Sequence, residues 1–564
     1  MTPRCPHSLA VMAASLLLGC SDPVAIQPEP EPTSVHGQPC DVAALPPSYE
    51  TIQERCNACQ CLEGTWSCFD AGLSCTQATL AQRHAEVLVV VDDSSSMGPQ
   101  RQARLAGGLS SLTQALEELV DPVRLRVGIT TTDLGNPVCD PGTAKDGGLL
   151  VRSCQEHLED FDAPAGLTEV PIPPDAAQIA CLAQCELPEL RTTPTSTIVD
   201  PTERTRPWLE HYGDTTNIEG DASFDEALAC AIPQGLRGCD FESPLEAARR
   251  ALERSQDPND AMYGFAREGS SLTVLVVTDE ADCSYNEEWA TVFDPEGTRR
   301  FWTDPDADAP TSAVCWKTGV QCSGGPGVYD DCEAINIDTA EHVDVPNDNA
   351  VLVPMDWIVR DISRSGPADI NFSLIAGVPE GYATGEAELE YTDAQDDPAQ
   401  AQQYGVGPGC VEADGQAIPP VRMLAAAGRL DSRGRSGVYS ACADDYGPAL
   451  AEIGQTIADD FADGCYSACA ALDPQPECIV WSDEPQPDGS FARAEVPPCE
   501  DERPPAGFAQ CWVSRQGNAL TERCRASGSN LELALRVDPS VAPSGGSVYA
   551  TCRAAEAPGS DCVL

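Results

Sequence analysis

Residues 87–98 read VLVVVDDSSSMG, and this stretch decides the fold. Its five apolar residues are typical of a strand buried on both faces, and acidic and hydroxyl side chains follow them at once. A second run, VLVVTDE at 274–280, has the same form and leads into Asp279. Because open parallel sheets place their ligand sites at the carboxyl ends of strands, the two polar ends are predicted to meet at one edge.

Apolar strands and amphipathic helices alternate around these runs over residues 84–464. This alternation predicts an α/β domain with a doubly wound, mostly parallel sheet and helices on both faces. Two polar stretches rich in Pro, Gly and Asp, at about 136–215 and 285–345, are interpreted as surface insertions. Short β-like runs separated by turns then predict a small disulfide-rich β module over 465–564.

The composition restricts the compartment and the partners. The chain has 564 residues and a net charge of −57, which argues against nucleic acid or an anionic membrane surface as a partner. This charge fits an extracytoplasmic protein in contact with divalent cations, and solubility alone would also account for it. The 28 cysteines are far too many for a reducing cytosol, so disulfides are expected.

The N-terminal sequence MTPRCPHSLAVMAASLLLGC agrees with export from the cytosol. Its apolar run is too short to span a bilayer as a mature helix. The end of the run, LLGC, resembles the lipobox of bacterial lipoproteins, which implies a signal peptide over 1–19, lipidation of Cys20 and a tether over 20–39. Ser21 implies the outer membrane or cell surface of a Gram-negative-type bacterium, with lipid as the only membrane anchor. An ordinary secretory signal with a chance cysteine is the alternative.

A small cysteine-dense unit over 40–78 follows the tether. Its core, CNACQCLEGTWSC, resembles pacifastin-like inhibitors and von Willebrand factor C modules, which implies disulfides. A zinc knuckle is the alternative, although the unit has no histidine. The candidate disulfide cysteines are Cys40, Cys56, Cys59, Cys61, Cys68 and Cys75. This unit, the α/β region and the C-terminal module each contain an even number of cysteines, so each could close its own bridges.

Asp92, Ser94 and Ser96 form a D-x-S-x-S motif at the end of the first strand. Two hydroxyls and a carboxylate from one loop suit a small hard cation such as Mg²⁺, which prefers oxygen ligands. Together with Asp279, the motif makes residues 85–464 resemble a von Willebrand factor A domain. The resemblance implies that these four residues bind metal at a metal-ion-dependent adhesion site, where a Glu or Asp carboxylate of a protein partner fills the open position.

The third loop of this site departs from the family, because PQGLRGCDFESPLEAA at 233–248 lacks the family's threonine. Cys239 lies near that slot, with Asp240, Glu242 and Ser243 as oxygen alternatives. We choose Glu242 as the ligand, since some related integrin domains use a glutamate there. A carboxylate in this loop could shift the preference toward Ca²⁺ or Mn²⁺. A domain that has lost metal binding and keeps the motif as a turn is the alternative.

A disulfide is also hypothesised at this face. Cys239 lies in the third loop, and Cys283 follows Asp279 by four positions. By the resemblance, both cysteines would lie at the metal face. We therefore hypothesise that a bridge between them joins the two loops.

These features predict a cell-surface lipoprotein whose A-type domain binds a protein ligand through a divalent cation. Enzymatic activity and a small-molecule substrate are not expected, because the chain has no G-x-S-x-G motif and its histidines are scattered. Two other functions stay open: a structural envelope scaffold with a purely structural cation, and a protease inhibitor displayed through residues 40–75.

Overall fold

The computed structural model describes residues 59–62, 65–68, 75–80 and most of 84–553. The positions left out within 84–553 are 118, 120–122, 140–144, 163–170, 198, 201, 214, 267–269, 367–369, 414, 432–433, 462–463, 467–469, 471, 473–475, 477, 486–490, 502, 522–523, 526–527 and 538–546. The predictions for residues 1–39, including the signal peptide and Cys20, lie outside the described residues. Within the described part of the chain, no helix has the length and apolar character needed to cross a bilayer.

The chain divides into two compact units, residues 1–70 and 71–564. The strands are β1 (Cys59–Leu62), β2 (Thr65–Cys68), β3 (Cys75–Leu80), β4 (His84–Val91), β5 (Arg124–Thr131), β6 (Leu209–Tyr212), β7 (Thr215–Thr216), β8 (Ser271–Val277), β9 (Val320–Gly324), β10 (Tyr329–Ala334), β11 (Ile370–Ala376), β12 (Cys410–Val411), β13 (Gln416–Ala417), β14 (Val438–Ser440), β15 (Cys478–Pro485), β16 (Phe491–Val496), β17 (Gln510–Gln516), β18 (Leu531–Val537) and β19 (Ser547–Arg553). The α-helices are α1 (Gly98–Glu117), α2 (Phe224–Ala231), α3 (Pro244–Arg254), α4 (Ala313–Gly319), α5 (Met355–Ser365), α6 (Pro398–Gln403), α7 (Val421–Leu430) and α8 (Gly447–Phe461).

A seven-stranded sheet with the order β14-β11-β8-β4-β5-β6-β7 lies in the second unit. The strands from β14 to β5 are parallel, and β6 and β7 extend the sheet in antiparallel fashion. Every residue of β4, β8 and β11 is buried, which explains why these strands are apolar almost throughout rather than alternating. The predicted α/β class and mostly parallel sheet are confirmed.

Apolar side chains pack on both faces of this sheet. On one face, Val87, Val89 and Val91 belong to a core that also contains side chains of α1, α2 and α8. On the other face, Leu88 and Val90 pack in a core with α3, α5 and α7. Helices therefore cover both faces, and strand order reverses direction at β4, as expected for a doubly wound sheet.

The first predicted insertion is not confined to the surface. It contributes β6 and β7 to the sheet, and its residues Phe161, Ala180 and Leu190 are buried in the same core as α1. The second insertion builds a small core of its own, in which Phe293 and Trp302 pack with Phe241 of the third loop. The interpretation of both stretches as surface insertions is therefore corrected. Each one buries apolar side chains, which its mainly polar composition did not indicate.

The C-terminal strands form two antiparallel sheets, one with the order β16-β15-β19-β3 and one of β17 with β18. Strand β3, which begins at Cys75, thus pairs with the C-terminal end of the described chain. The predicted boundary of the N-terminal unit at 78 is corrected for this reason. In the first unit, β1 and β2 form a hairpin with Cys59 opposite Cys68, and Cys40 and Cys56 lie outside the described residues.

Disulfides pair all twelve cysteines of the α/β region among themselves, as their even number allowed. The pairs are Cys139–Cys239, Cys154–Cys181, Cys185–Cys230, Cys283–Cys315, Cys322–Cys332 and Cys410–Cys442. The hypothesised Cys239–Cys283 bridge is therefore wrong. Cys239 lies 5.5 Å from Cys139 between Cα atoms, and Cys283 lies 4.8 Å from Cys315. Each loop meets a cysteine from an insertion, and sequence spacing could not rank these partners.

Gly454 allows α8 to pack closely against α1. A Cβ at this buried position would lie 2.5 Å from the carbonyl oxygen of Leu112. We expect Gly454→Ala to lower the free energy of unfolding by about 1–3 kcal/mol, because a backbone atom of α1 cannot move aside cheaply. Urea unfolding followed by tryptophan fluorescence measures this change.

The control for this substitution lies on the exposed side of α7. A Cβ at Gly428 would meet nothing within 4 Å. Gly428→Ala should therefore raise the free energy of unfolding by about 0.5–1 kcal/mol through helix propensity alone. If both alanine variants were more stable than the parent chain, the close contact between α1 and α8 would be contradicted.

Candidate metal centre

The candidate centre lies at the carboxyl edge of the central sheet, where strand order reverses at β4. Such a reversal leaves a crevice at the strand ends, which is the usual ligand site of open α/β sheets. The backbone N–H of Asp92 donates to the carbonyl oxygen of Val277 at 3.0 Å. The ends of the neighbouring strands β4 and β8 are thus at the same level, and the predicted meeting of their polar ends is confirmed.

Asp92 organises the D-x-S-x-S loop through both of its carboxylate oxygens. Its Oδ1 accepts hydrogen bonds from the backbone N–H of Ser94 at 2.9 Å and from the Ser94 hydroxyl at 2.6 Å. Its Oδ2 accepts from the hydroxyl of Thr278 at 2.6 Å. The hydroxyls of Ser94 and Ser96 lie 3.0 Å apart. The three side chains of the motif therefore gather at one point, and Thr278, which sequence reasoning did not select, fixes the orientation of Asp92.

Asp279 joins this group from the end of β8. Its Oδ1 accepts a hydrogen bond from the Ser96 hydroxyl at 3.3 Å. Its Oδ2 forms a buried ion pair with Arg101 at 2.6 Å. Burial raises the pKa of Asp279 to about 7, although the Arg101 guanidinium acts to lower it and the charge of Asp92 adds to the rise.

Arg101 was not among the residues predicted for the site. One signal could have identified it, because it stands in the first turn of α1, where the helix macrodipole disfavours a positive charge. A cation at that position needs a nearby anion to stabilise it. Asp279 provides that anion.

Glu242 lies in the third loop, where its main chain is tied to neighbouring loops. Its carbonyl accepts from the Cys283 N–H at 2.6 Å, and the next N–H, of Ser243, donates to the Thr132 carbonyl at 3.0 Å. The Glu242 side chain is 1% exposed. The nearby Thr132 hydroxyl favours its charged form but does not reach hydrogen-bonding geometry, so neither carboxylate oxygen has a partner among the described residues. Burial, followed by the charge of Asp92, raises the pKa of Glu242 well above its usual value.

Two further buried carboxylates lie beside these residues. Asp93 is buried, and its Oδ1 has no hydrogen-bond partner within the described part of the chain. Asp133 follows β5; its Oδ1 accepts from the Gly135 N–H at 2.8 Å. Burial, then the charges of Asp133 and Asp92, raises the pKa of Asp93 well above its usual value. Asp93 is therefore a further buried carboxyl group beside the candidate ligands, and its burial favours the neutral form.

The other oxygen alternatives of the third loop already have hydrogen-bond partners. The Ser243 hydroxyl donates to the Cys283 carbonyl at 3.0 Å. The carboxylate of Asp240 accepts from the Ser95 hydroxyl at 3.4 Å. Glu242 is the member of this loop whose acceptors stay free for another ligand.

The donor set fits a hard divalent cation. No three His, Cys, Asp or Glu side chains in the described part of the chain are grouped so that they could hold a metal by themselves. Such a grouping does not include hydroxyl oxygens, which Ser94 and Ser96 also offer here. The unpartnered oxygens of Glu242 and Asp93 are buried acceptors, and a nearby cation would favour the charged forms of both carboxyl groups. Of the five residues predicted to hold a cation, Asp92, Ser94, Ser96 and Asp279 are joined by hydrogen bonds, and Glu242 lies near Asp92 without a hydrogen bond to it.

Comparisons with known proteins add no assignment of family. No family model matches the chain, and no curated protein matches it. The pilus adhesin SpaC of Lactobacillus rhamnosus GG in its open conformation is similar with a TM-score of 0.28 and 10% identity, over 85% of this chain and 40% of the adhesin. Another form of that adhesin is similar with a TM-score of 0.25 and 10% identity, over 85% of this chain and 41% of the adhesin. The chain thus spans about 40% of the adhesin's length, and a likeness this low carries no argument about function.

Proposed function

We propose that residues 84–464 form a von Willebrand factor A-like domain that binds a protein ligand through a divalent cation, most readily Mg²⁺. The observation that carries the proposal is the gathering of the D-x-S-x-S side chains beside Asp279 at the point where strand order reverses. The unpartnered buried oxygens of Glu242 support a cation at this place. Because Glu242 adds a carboxylate, Ca²⁺ or Mn²⁺ could replace Mg²⁺.

In this proposal the bound cation supplies an electrophilic position for a Glu or Asp carboxylate of the protein ligand. The serine hydroxyls help to keep that position electrophilic, because they ligate without adding negative charge. Asp92 and Ser94 are wholly buried, whereas Ser96 is half-buried. The ligand carboxylate therefore approaches from the side of Ser96.

The cellular context of the proposal comes from the sequence. The lipobox-like LLGC supports a location at the outer membrane or cell surface, with a lipid anchor on Cys20. The net charge of −57 disfavours nucleic acid and anionic lipid as ligands. We propose a binding protein rather than an enzyme, with no small-molecule substrate.

Metal titration of the mature chain tests the proposal. Asp92→Asn keeps the size of the side chain but removes the charge that orients Ser94 and attracts the cation. We expect it to raise the Kd for Mn²⁺ or Mg²⁺ at least about 100-fold, since even outer-shell partners of a metal are worth 10–100-fold. Isothermal titration calorimetry measures the Kd for each of the two metals. Asp306→Asn, in an exposed acidic loop, is the matched control and should leave them unchanged.

A short peptide then separates ligand binding from a purely structural cation. The probe is Ac-Gly-Glu-Gly-amide, and the same peptide with Gln in place of Glu is its control. We expect the Glu peptide alone to bind, and only when Mg²⁺ is present. Metal binding without any peptide binding would favour the structural scaffold, and no metal binding by the parent chain would refute the proposed function.

A further inference from the structure

We infer that Arg101 competes with the cation for Asp279 and couples the centre to the hairpin of β12 and β13. This inference rests on the proposed function and concerns the regulation of the same site. The Arg101 side chain is 2% exposed and lies between the candidate ligands and the hairpin. One nitrogen, Nη1, pairs with Asp279 Oδ2 at 2.6 Å and also donates to the Ser96 carbonyl at 3.2 Å. The guanidinium thus holds one carboxylate oxygen of a candidate ligand, while the other oxygen, Oδ1, faces the Ser96 hydroxyl.

The same guanidinium holds the hairpin. Its Nε lies 2.7 Å from Glu412 Oε1, and its Nη2 donates to the Gln416 carbonyl at 3.0 Å. Beyond β13, the Ile418 N–H donates to the carbonyl oxygen of Asp279 at 2.8 Å. The hairpin is therefore fixed to the metal face through Arg101 and through the main chain of a candidate ligand.

A cation at the centre changes this balance of charge. A guanidinium and a divalent cation repel each other when both lie near one carboxylate, and burial strengthens the repulsion. Because Asp279 Oδ1 faces the Ser96 hydroxyl and Oδ2 faces Arg101, a cation at Oδ1 would share the carboxylate with the guanidinium and would weaken its ion pair with Oδ2. Arg101 keeps its contacts with the Ser96 carbonyl, Glu412 and Gln416, but the ion pair that fixes its position against Asp279 becomes weaker, and the hairpin is held less firmly. The exposed side chain of Val411 lies on this hairpin, so metal occupancy would alter a surface beside the centre.

Arg104 provides a matched comparison. It lies one turn further along α1, and its Nη2 pairs with the other oxygen of Glu412, Oε2, at 2.7 Å. It holds the same hairpin residue as Arg101, and its removal changes the net charge equally. It makes no ion pair with Asp279 among the described residues. If both arginines have a purely structural role, replacing either one should change the Kd for the cation to a similar extent. If Arg101 competes at Asp279, only the replacement of Arg101 should change that Kd.

Calorimetric titration with Mn²⁺ of the parent chain, Arg101→Gln and Arg104→Gln tests the inference. We expect Arg101→Gln to bind Mn²⁺ about 10–100-fold more tightly than the parent chain, because one buried positive charge near the cation is removed. Arg104→Gln should change the Kd by less than about 3-fold, because its charge is more exposed and more screened. An unchanged or weaker Kd in folded Arg101→Gln would overturn the inference.

Hydrogen exchange of the parent chain gives a readout that needs no variant, should Arg101→Gln fail to fold. Adding Mn²⁺ should speed exchange of the Glu412 and Ile418 amides and leave strand β8 unchanged. Unchanged exchange at these amides in the Mn²⁺-bound parent chain would overturn the coupling. Absence of binding by the parent chain would refute the proposed function, and the inference with it, whatever Arg101→Gln does.

Discussion

Replacing Arg422 by leucine is expected to lower the free energy of unfolding by about 3–5 kcal/mol. Arg422 on α7 forms an ion pair with Asp282 at 2.8 Å, and the two side chains are 2% and 0% exposed. Leucine would fill part of the space but would leave the Asp282 carboxylate buried without its counter-charge. An uncompensated buried charge costs more than the loss of an exposed ion pair.

The effect of this substitution should extend beyond the pair. Asp282 Oδ1 accepts from the Ser284 hydroxyl at 2.6 Å and from the Leu245 N–H at the start of α3 at 3.3 Å. Arg422 Nη2 donates to the Val353 carbonyl at 2.7 Å. The pair thus ties α7 to α3 and to the loop that follows Asp279. Urea unfolding measures the loss of free energy.

Arg429→Leu on the same helix is the control. Arg429 pairs with Asp356 at 2.8 Å, and these side chains are 51% and 70% exposed. Removing an exposed pair should change the free energy of unfolding by less than about 1 kcal/mol. Equal effects of the two leucine substitutions would show that burial of the Asp282 charge is not what makes Arg422 important.

The central sheet could be predicted from the sequence because its strands are buried on both faces. Such strands are continuous apolar runs, as in VLVVV before Asp92 and VLVV before Thr278. Strands β3 and β6 lack this property, since CTQATL and LEHY are short and partly polar. Their places depend on partners that lie far away in the sequence, and no local pattern reveals such partners.

Part of the candidate site could likewise be predicted from local sequence, and part depends on contacts between residues far apart in the chain. The gathering of Asp92, Ser94 and Ser96 is a property of one short loop, and Asp279 follows from the end of a neighbouring strand. The ion pair of Arg101 depends on how α1 packs over the sheet edge. The cysteine partners of the site loops come from the insertions, whose paths depend on packing against their own small cores.

Removing the Cys139–Cys239 bridge by a double alanine substitution is expected to lower the free energy of unfolding by about 3–4 kcal/mol. The bridge spans 100 residues, with Cys154–Cys181 and Cys185–Cys230 inside that span. These inner bridges shorten the loop that it closes in the unfolded chain to roughly 30 residues, so the entropic stabilisation is smaller than the full span implies. Urea unfolding of the oxidised chain measures the change.

The same substitution should loosen the candidate centre. Gly238, beside Cys239, donates its N–H to the Asp93 carbonyl at 2.7 Å, and a Cβ at Gly238 would lie 2.7 Å from Asp93 Oδ1. The bridge therefore holds the third loop against a buried carboxylate that gains stability by moving into water. Without the bridge, hydrogen exchange at the Gly238 amide should become faster, because the loop can open without global unfolding.

The Cys322–Cys332 bridge separates this local effect from general destabilisation. It spans 10 residues and joins β9 to β10, and its removal should cost about 2–3 kcal/mol in the same entropic account. In that variant, hydrogen exchange at the Gly238 amide should become faster only by the amount that the loss of global stability explains. Equal acceleration at Gly238 in the two double variants, after correction for their global stabilities, would show that packing of the loop rather than its bridge keeps Glu242 and Asp93 together. Faster exchange confined to the Cys139–Cys239 variant would mean that an oxidised bridge maintains the candidate metal centre.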